Sequence, residues 1–485
     1  MIPIDELRAG LLTDLYIGGK AVPATDGGRF DVLDPATESV IASVADAGVE
    51  DALAAVAAAD DAAASWAATA PRERAEILRA AFELMTAQRE DLATLIALEN
   101  GKALVDARGE VAYAAEFFRW YAEEAVRIGG SLGHAPSGAH RIMVSHQPVG
   151  ICVLVTPWNF PAAMATRKIG PALAAGCTMV LKPASDTPLT ALAMCKIFEA
   201  AGVPPGVVNV LPGRRSGAIV SAMLDDPRVR KLSFTGSTEV GRVLLRGAAE
   251  NVINTSMELG GNAPFVVFGD ADLDAALDGA MIAKMRNAGE ACTAANRFYV
   301  QSSIAEEFSR ELARRMGALT VGPGVEESTH VGPLVNADTV GKVDSLVREA
   351  VAAGARVLVG GSRPDREGFY FDPTVLVDVP RDAAILREEI FGPVAPIVTF
   401  DHEDQAVNLA NDTEYGLVGY VYSRDLARAL RVGERIEAGM IGINRGLVSD
   451  PAAPFGGVKQ SGIGREGGHE GVLDYTESRY FAVTW

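Results

Sequence analysis

The sequence predicts an α/β protein organised on parallel, doubly wound sheets, and two stretches carry that prediction. From residue 149, short apolar runs alternate with helical stretches: VGICVLVT, then 162–176, TMVLKP, then 188–202, VVNVLPG, then 214–224, RKLSF, then 238–250. Short strands separated by helices form βαβ units, whose crossovers cover both faces of the sheet and bury its strands. A second α/β series runs from about 264 to 445, with VLVG, FDPTVLVDV, APIVTF, YGLVGYVYS and MIGIN as strands. Such sheets bind ligands at the carboxyl ends of their strands, so functional residues are sought in the segments that follow them.

The remaining elements follow in chain order. Residues 50 to 128 are rich in Ala, Leu, Glu and Arg, with Pro71 and Gly101 as punctuation, which predicts several amphipathic packing helices. Between 130 and 150, GSLGHAPSGAHRIMVSHQPVG changes to Gly, Ser, His and alternating strand-like residues, which suggests a bridging or oligomer-forming hairpin outside the first domain. Further on, Leu273, Leu277, Met281 and Met285 recur at four-residue spacing. They predict a helix over 272–289, with Asp270 or Asp272 as N-cap and Gly289 as terminator.

Composition excludes several classes. With 485 residues, 48% hydrophobic and 22% charged, the chain has material for two or three globular domains and is neither a mini-protein nor a disordered tail. Its 44 basic and 63 acidic residues leave a net charge of −19, which repels nucleic acid and anionic membranes, so neither is an expected partner. An anionic ligand must be held by local cations. The four cysteines, Cys152, Cys177, Cys195 and Cys292, match neither a zinc spacing nor a secreted disulfide framework, and a reducing cytoplasm is the expected location. The N-terminal MIPIDELRAG lacks the basic and apolar regions of a signal peptide, and no run approaches the ~20 apolar residues of a membrane span.

Three features have chemical potential on their own. Cys292 sits in GEACTAANR just past the predicted helix end, whose partial negative charge would raise a thiol pKa, so a nucleophile there needs a base or a cation from elsewhere. By its own surroundings a small buried thiol is the simpler reading. FTGSTEVG, 234–241, follows a strand and opens a helix, so its N–H groups suit a dinucleotide's phosphates or an ordinary strand-to-helix turn. Glu258 in SMELGG ends an apolar segment, where a half-buried carboxylate is either a general base or a capping group.

Seven separated motifs add to these features: TPWNFP at 156–161, LKPA at 181–184, FTGSTEVG at 234–241, MELGGNAPF at 257–265, GEACTAANR at 289–297, EEIFGP at 388–393 and PFGGVKQSGIGREGG at 454–468. In order and spacing, over nearly the whole chain, they resemble the aldehyde dehydrogenase superfamily. The stretch NFPAAMATRKIGPALAAGCTMVLKPAS, with Arg167 and Arg286, is similar to succinate-semialdehyde dehydrogenases. The resemblance implies an aldehyde dehydrogenase-like α/β fold: a Rossmann-type cofactor domain (1–128 and 149–257), an α/β catalytic domain (258–469), and a small β bridging or oligomerisation element (129–148 and 470–485). A homodimer or homotetramer is expected.

The same resemblance implies that Cys292 is the nucleophile, Glu258 the general base and Asn159 an oxyanion donor. Thr156, Pro157, Trp158, Lys182, Ser185, Gly236, Ser237, Glu389 and Phe391 are its cofactor residues, and Arg167, Arg286 and Ser449 hold a substrate carboxylate. No metal is implied. Ser185 stands where NAD-preferring relatives often carry Glu, which points to NADP with NAD also possible. The implied reaction is oxidation of a short semialdehyde, succinic semialdehyde first, through a cysteine thiohemiacetal and thioester. Glutarate semialdehyde, a neutral aldehyde, a CoA-acylating reaction and a non-catalytic binding role are the competing readings. Two departures stand out: Ala294 replaces a second cysteine found in some of these relatives, and GEAC replaces GQTC, which puts Glu290 near the thiol.

Overall fold

In the computed structural model, which describes residues 4–485, the first run of βαβ units builds the centre of an eight-stranded sheet. Five parallel strands lie in the order Val208–Val210, Thr178–Lys182, Ile151–Val155, Val229–Thr235 and Asn254–Glu258. Numbered along the chain this is the order 3-2-1-4-5. The direction of winding therefore reverses between Ile151–Val155 and Val229–Thr235, where Rossmann-type sheets open a crevice for a ligand. Every residue of Ile151–Val155 and of Thr178–Lys182 is buried, as helices on both faces require.

The predicted packing helices are Val49–Ala68, Pro71–Ala87, Arg89–Asn100 and Leu104–Ala125. Four strands before them, Leu15–Ile17, Lys20–Val22, Arg29–Leu33 and Val40–Ala45, are absent from the sequence-based expectation. The first two have three residues each, too short to display a period of two. Leu15–Ile17 joins the sheet edge through Tyr16 beside Val210, a contact that only the folded chain supplies. Of the MIPIDELRAG stretch weighed as a leader, residues 1–3 lie outside the described residues, and Ile4–Ala9 form a short helix.

The chain leaves the first sheet after Glu258 and enters a second, seven-stranded one. Its order is Arg356–Val359, Thr374–Val377, Val394–Phe400, Ala295–Gln301, Ala263–Val267, Val418–Tyr422 and Met440–Ile443, parallel except at the first pair. Near its end the chain returns to the first sheet, where Gly462–Ile463 pair antiparallel with Asn254–Glu258. A separate three-stranded antiparallel sheet joins Ser131–His134, Arg141–Pro148 and Thr476–Val483. Among the described residues, no helix is long and apolar enough to cross a membrane.

One predicted element is shorter than expected. Asp272 caps its helix, accepting the Ala275 N–H at 3.2 Å, but the helix runs only from Leu273 to Met285. Asn287 and Ala288 then take left-handed φ values of 52° and 51°, ahead of Gly289 at 81°. The Asn287 N–H is drawn to Asp106 Oδ2 (2.9 Å) and its side chain to two carbonyls, so tertiary bonds end the helix before the glycine does.

Candidate active site

A cavity of about 320 Å³ opens at the reversal point of the first sheet and extends under the second. Its walls come from the segments that follow the two central strands. Pro157, Trp158 and Asn159 follow Ile151–Val155, while Gly236 and Ser237 follow Val229–Thr235. Ser237 caps Thr238–Glu250, its hydroxyl accepting the Val240 N–H at 3.3 Å, so that helix points its free N–H groups at the cavity. Glu389, Phe391 and Cys292 line the other side, and the Phe391 ring stands edge-on to Trp158 at 5.5 Å. The helix Ala337–Ala352 adds Asp338, Thr339 and Lys342. No motif announced these three; packing of the second sheet brings them in.

Crossing between the sheets requires bare backbone. A Cβ on Gly261 would lie 2.5 Å from the Cys292 carbonyl oxygen, which explains the second glycine of MELGG. Glu258, the last residue of its strand, is buried just before this crossing. Burial first, and the Glu466 carboxylate second, push its carboxyl well above the usual range, against the pull of Arg167 and Lys168. Its Oε2 has no hydrogen-bond partner. Glu466 is held by Lys168 and lies 3.4 Å from Arg167 Nε.

Cys292 is half-buried at the cavity wall. Its thiol is pushed up to about 12, mainly by burial, while Arg167 and Arg286 pull it down and Glu389 and Glu258 push it further up. The raised direction expected from a helix end therefore has burial as its main cause. All four cysteines are free. The Asn159 side chain is tied to the same loop, Nδ2 donating to the Glu290 carbonyl at 3.1 Å. The Glu290 carboxyl is engaged at Val335, whose N–H it accepts at 3.0 Å, and burial pushes it well up. The extra charge read beside the thiol is thus disfavoured by burial, and this residue's backbone carbonyl is the atom that meets Asn159.

The two arginines differ. Arg167 is buried, donates to the Tyr113 hydroxyl at 2.6 Å and stacks on Phe455 at 4.1 Å. Burial works against its charge, but Tyr113 and Glu466 outweigh burial and hold it above its ordinary value. Arg286 is half-buried over the Phe160 ring, 5.2 Å from its centre, and among the described residues no carboxylate lies within ion-pair distance. Ser449 is half-buried in the coil that also carries Phe455.

Thr156, Lys182 and Ser185 do not themselves line this cavity. Thr156 is buried and its N–H donates to the Lys182 carbonyl at 3.2 Å, which keeps the two strand ends together. Burial pushes the Lys182 ammonium down to about 8, opposed by Asp186 and Asp46, and Nζ donates to the Pro183 carbonyl at 2.9 Å. Ser185 is half-buried in the following turn. The next helix, Leu189–Ala201, is capped by Glu99, which accepts the Leu189 and Thr190 N–H groups at 2.7 and 2.9 Å. Ser185 takes no part in that cap.

The profile of the "Aldehyde dehydrogenase family" matches residues 22–481. A succinate-semialdehyde dehydrogenase of Paenarthrobacter nicotinovorans is 58% identical over 88% of this chain and 95% of its own. A glutarate-semialdehyde dehydrogenase of Pseudomonas putida is 49% identical over 97% of each. Among solved structures, one titled as an E. coli NADP dependent enzyme superposes with a TM-score of 0.97 at 47% identity over 99% of both chains. A Rossmann-type crevice, a cysteine on its wall and a buried carboxylate at the end of a sheet strand, found in a chain that matches one family over residues 22–481, have one common explanation: this chain belongs to the aldehyde dehydrogenase family.

Proposed function

We propose that this chain oxidises succinic semialdehyde to succinate, with NADP as its preferred cofactor. The observation that carries the reading is Arg286, a guanidinium without a carboxylate partner among the described residues, whose charge is felt at the Cys292 thiol. In a chain of net charge −19, a carboxylate-bearing aldehyde needs such a trap. The names of the similar proteins support a short semialdehyde.

The cavity residues fit a dinucleotide. A Cβ at Gly236 would lie 2.4 Å from the Phe234 ring, so backbone alone is tolerated where a phosphate meets the opening of Thr238–Glu250. Thr156, Pro157, Trp158, Gly236 and Ser237 would border the phosphates and nicotinamide, Glu389 and Phe391 the nicotinamide ribose, and Lys182 and Ser185 the adenine ribose. When bound, the nicotinamide supplies the hydride acceptor.

Cys292 Sγ forms a bond to the aldehyde carbon while the carbonyl pair moves to oxygen, and the thiol proton passes to Glu258, directly or through a water. The second amide hydrogen of Asn159, with the Cys292 N–H, meets that oxyanion; such a donor is worth about 3–4 kcal/mol of barrier. Once the hydride has left, Cys292 carries a thioester. Glu258 gives up the thiol proton to solvent, then takes a proton from the attacking water, and the thiolate leaves as the acid forms.

Because Glu258 acts unprotonated and its pKa is raised, kcat/KM falls as pH drops through that raised value. Glu466→Gln removes the neighbouring negative charge, so the acid limb of the pH profile is expected at lower pH; a limb that does not move removes Glu466 from the electrostatics of the base.

The substrate assignment is tested with aldehydes of one chain length. Arg286→Ala is expected to raise KM for succinic semialdehyde about 10- to 100-fold, the loss of a charged hydrogen bond, and to leave butanal within about threefold. Equal effects on both would make Arg286 structural. The second reading, glutarate semialdehyde, is one methylene longer and is favoured by the 49% identical relative. A methylene contributes about 1–3 kcal/mol of discrimination, enough for kcat/KM to separate the two.

We also infer a homodimer or homotetramer with the three-stranded sheet as its coupling element, supported by exposed Leu132, Met143, Tyr480 and Phe481 on that sheet. Four free thiols support a reducing, cytoplasmic setting.

A further inference from the structure

The turn that carries Asn159 is gripped from behind by a buried ion pair. Lys102 lies between the helices Arg89–Asn100 and Leu104–Ala125, and Glu110 sits on the second of them. Lys102 Nζ is 2.5 Å from Glu110 Oε2, donates to the Asn159 carbonyl at 2.7 Å and lies 4.1 Å from the centre of the Phe160 ring. Neither side chain has any solvent exposure. The other carboxylate oxygen of Glu110 accepts the Ala162 and Ala163 N–H groups at 2.8 and 3.2 Å. These belong to the first turn of Pro161–Ala175, a helix whose N-cap position, Phe160, offers no side-chain hydrogen bond.

Burying two charges is a poor source of stability, since desolvation offsets most of their attraction. What this pair does have is geometry. The Asn159 carbonyl also accepts Asn287 Nδ2 at 2.8 Å, and that same amide donates to the Glu290 carbonyl at 3.0 Å. Glu290 O in turn accepts Asn159 Nδ2, which fixes which end of the Asn159 amide faces the cysteine loop and leaves one amide hydrogen for another acceptor. Lys102, Asn159, Asn287 and Glu290 thus form one chain of hydrogen bonds from a buried cation to the residue two before Cys292.

We propose that the Lys102–Glu110 pair is a positioning device that holds Asn159 against the Cys292 loop, so that its free amide hydrogen meets the substrate oxygen. The inference rests on Asn159 being the oxyanion donor. Its test is a double-mutant cycle read by single-turnover reduction of NADP with enzyme in excess over succinic semialdehyde. Asn159→Ala is expected to slow that turnover about 100- to 1000-fold. Lys102→Met slows it at least about 30-fold, with NADPH affinity within about threefold of the parent. The double variant is no more than about threefold slower than Asn159→Ala, because a device that acts through Asn159 has nothing left to act on. Losses that multiply, or a Lys102→Met turnover within threefold of the parent while Asn159→Ala is slow, would overturn the positioning role alone. An Asn159→Ala enzyme that turns over at the parent rate would instead remove the oxyanion assignment beneath it. If Lys102→Met does not fold, Lys102→Arg, which keeps the charge but displaces the donor from the Asn159 carbonyl, is read in the same cycle against the same two outcomes.

Discussion

Cys292→Ala eliminates steady-state NADP reduction, whereas Glu258→Gln leaves a first turnover and stalls the next. The first expectation follows from position. Cys292 is the half-buried cysteine on the cavity wall, and Cys152, Cys177 and Cys195 are fully buried elsewhere, so none can replace it. A triad-like group that acts as a unit loses most of its rate when the nucleophile goes. The second expectation follows from the burial of Glu258 with an unsatisfied Oε2. Glutamine keeps the shape but cannot accept the proton of the attacking water, so the thioester should accumulate. Mass spectrometry of the quenched variant should find Cys292 carrying the acyl group of the aldehyde. Because Glu258 also receives the thiol proton, and burial holds that thiol up to about 12, the first turnover is slower than in the parent while the second stalls. Full-rate turnover in Cys292→Ala would end the mechanism; steady-state turnover at parent rate in Glu258→Gln would end the role of the base.

Ser185→Glu is expected to reverse the proposed preference for NADP over NAD. Two like charges about 4 Å apart cost about 4 kcal/mol at an effective dielectric of 20, which converts to between two and three powers of ten in selectivity. Because Glu99 caps the following helix, the substitution should leave that helix intact and act on the pocket. Lys182 sets a second signature. Its ammonium, lowered to about 8 by burial, would pair with a 2′-phosphate only while protonated, so KM for NADP is expected to rise as pH passes that value, and KM for NAD to rise less. A parent enzyme with kcat/KM for NAD at least tenfold above that for NADP would show that another group closes the 2′ pocket.

The sequence by itself determined the class of sheet and the family. Apolar runs such as ICVLV and TMVLK read as fully buried strands because every one of their positions is covered from both faces. Cys292, Glu258 and Asn159 stand out in the sequence because each lies in a motif whose order and spacing resemble the family, although GEAC departs from GQTC. Tertiary structure decided the rest. It placed the crevice, since strand order 3-2-1-4-5 is a property of pairing that no local pattern encodes. It ended the helix before Cys292 at Met285, through bonds from Asn287 to residues about 130 and 180 positions away. It separated Arg167, committed to Tyr113 and Phe455, from Arg286. Most of all it joined Lys102 to Asn159 across 57 residues. In the sequence this lysine lies in ENGKAL with nothing to mark it, because what makes a buried cation matter is the set of atoms that replaces its water, and those atoms come from elements brought together only by folding.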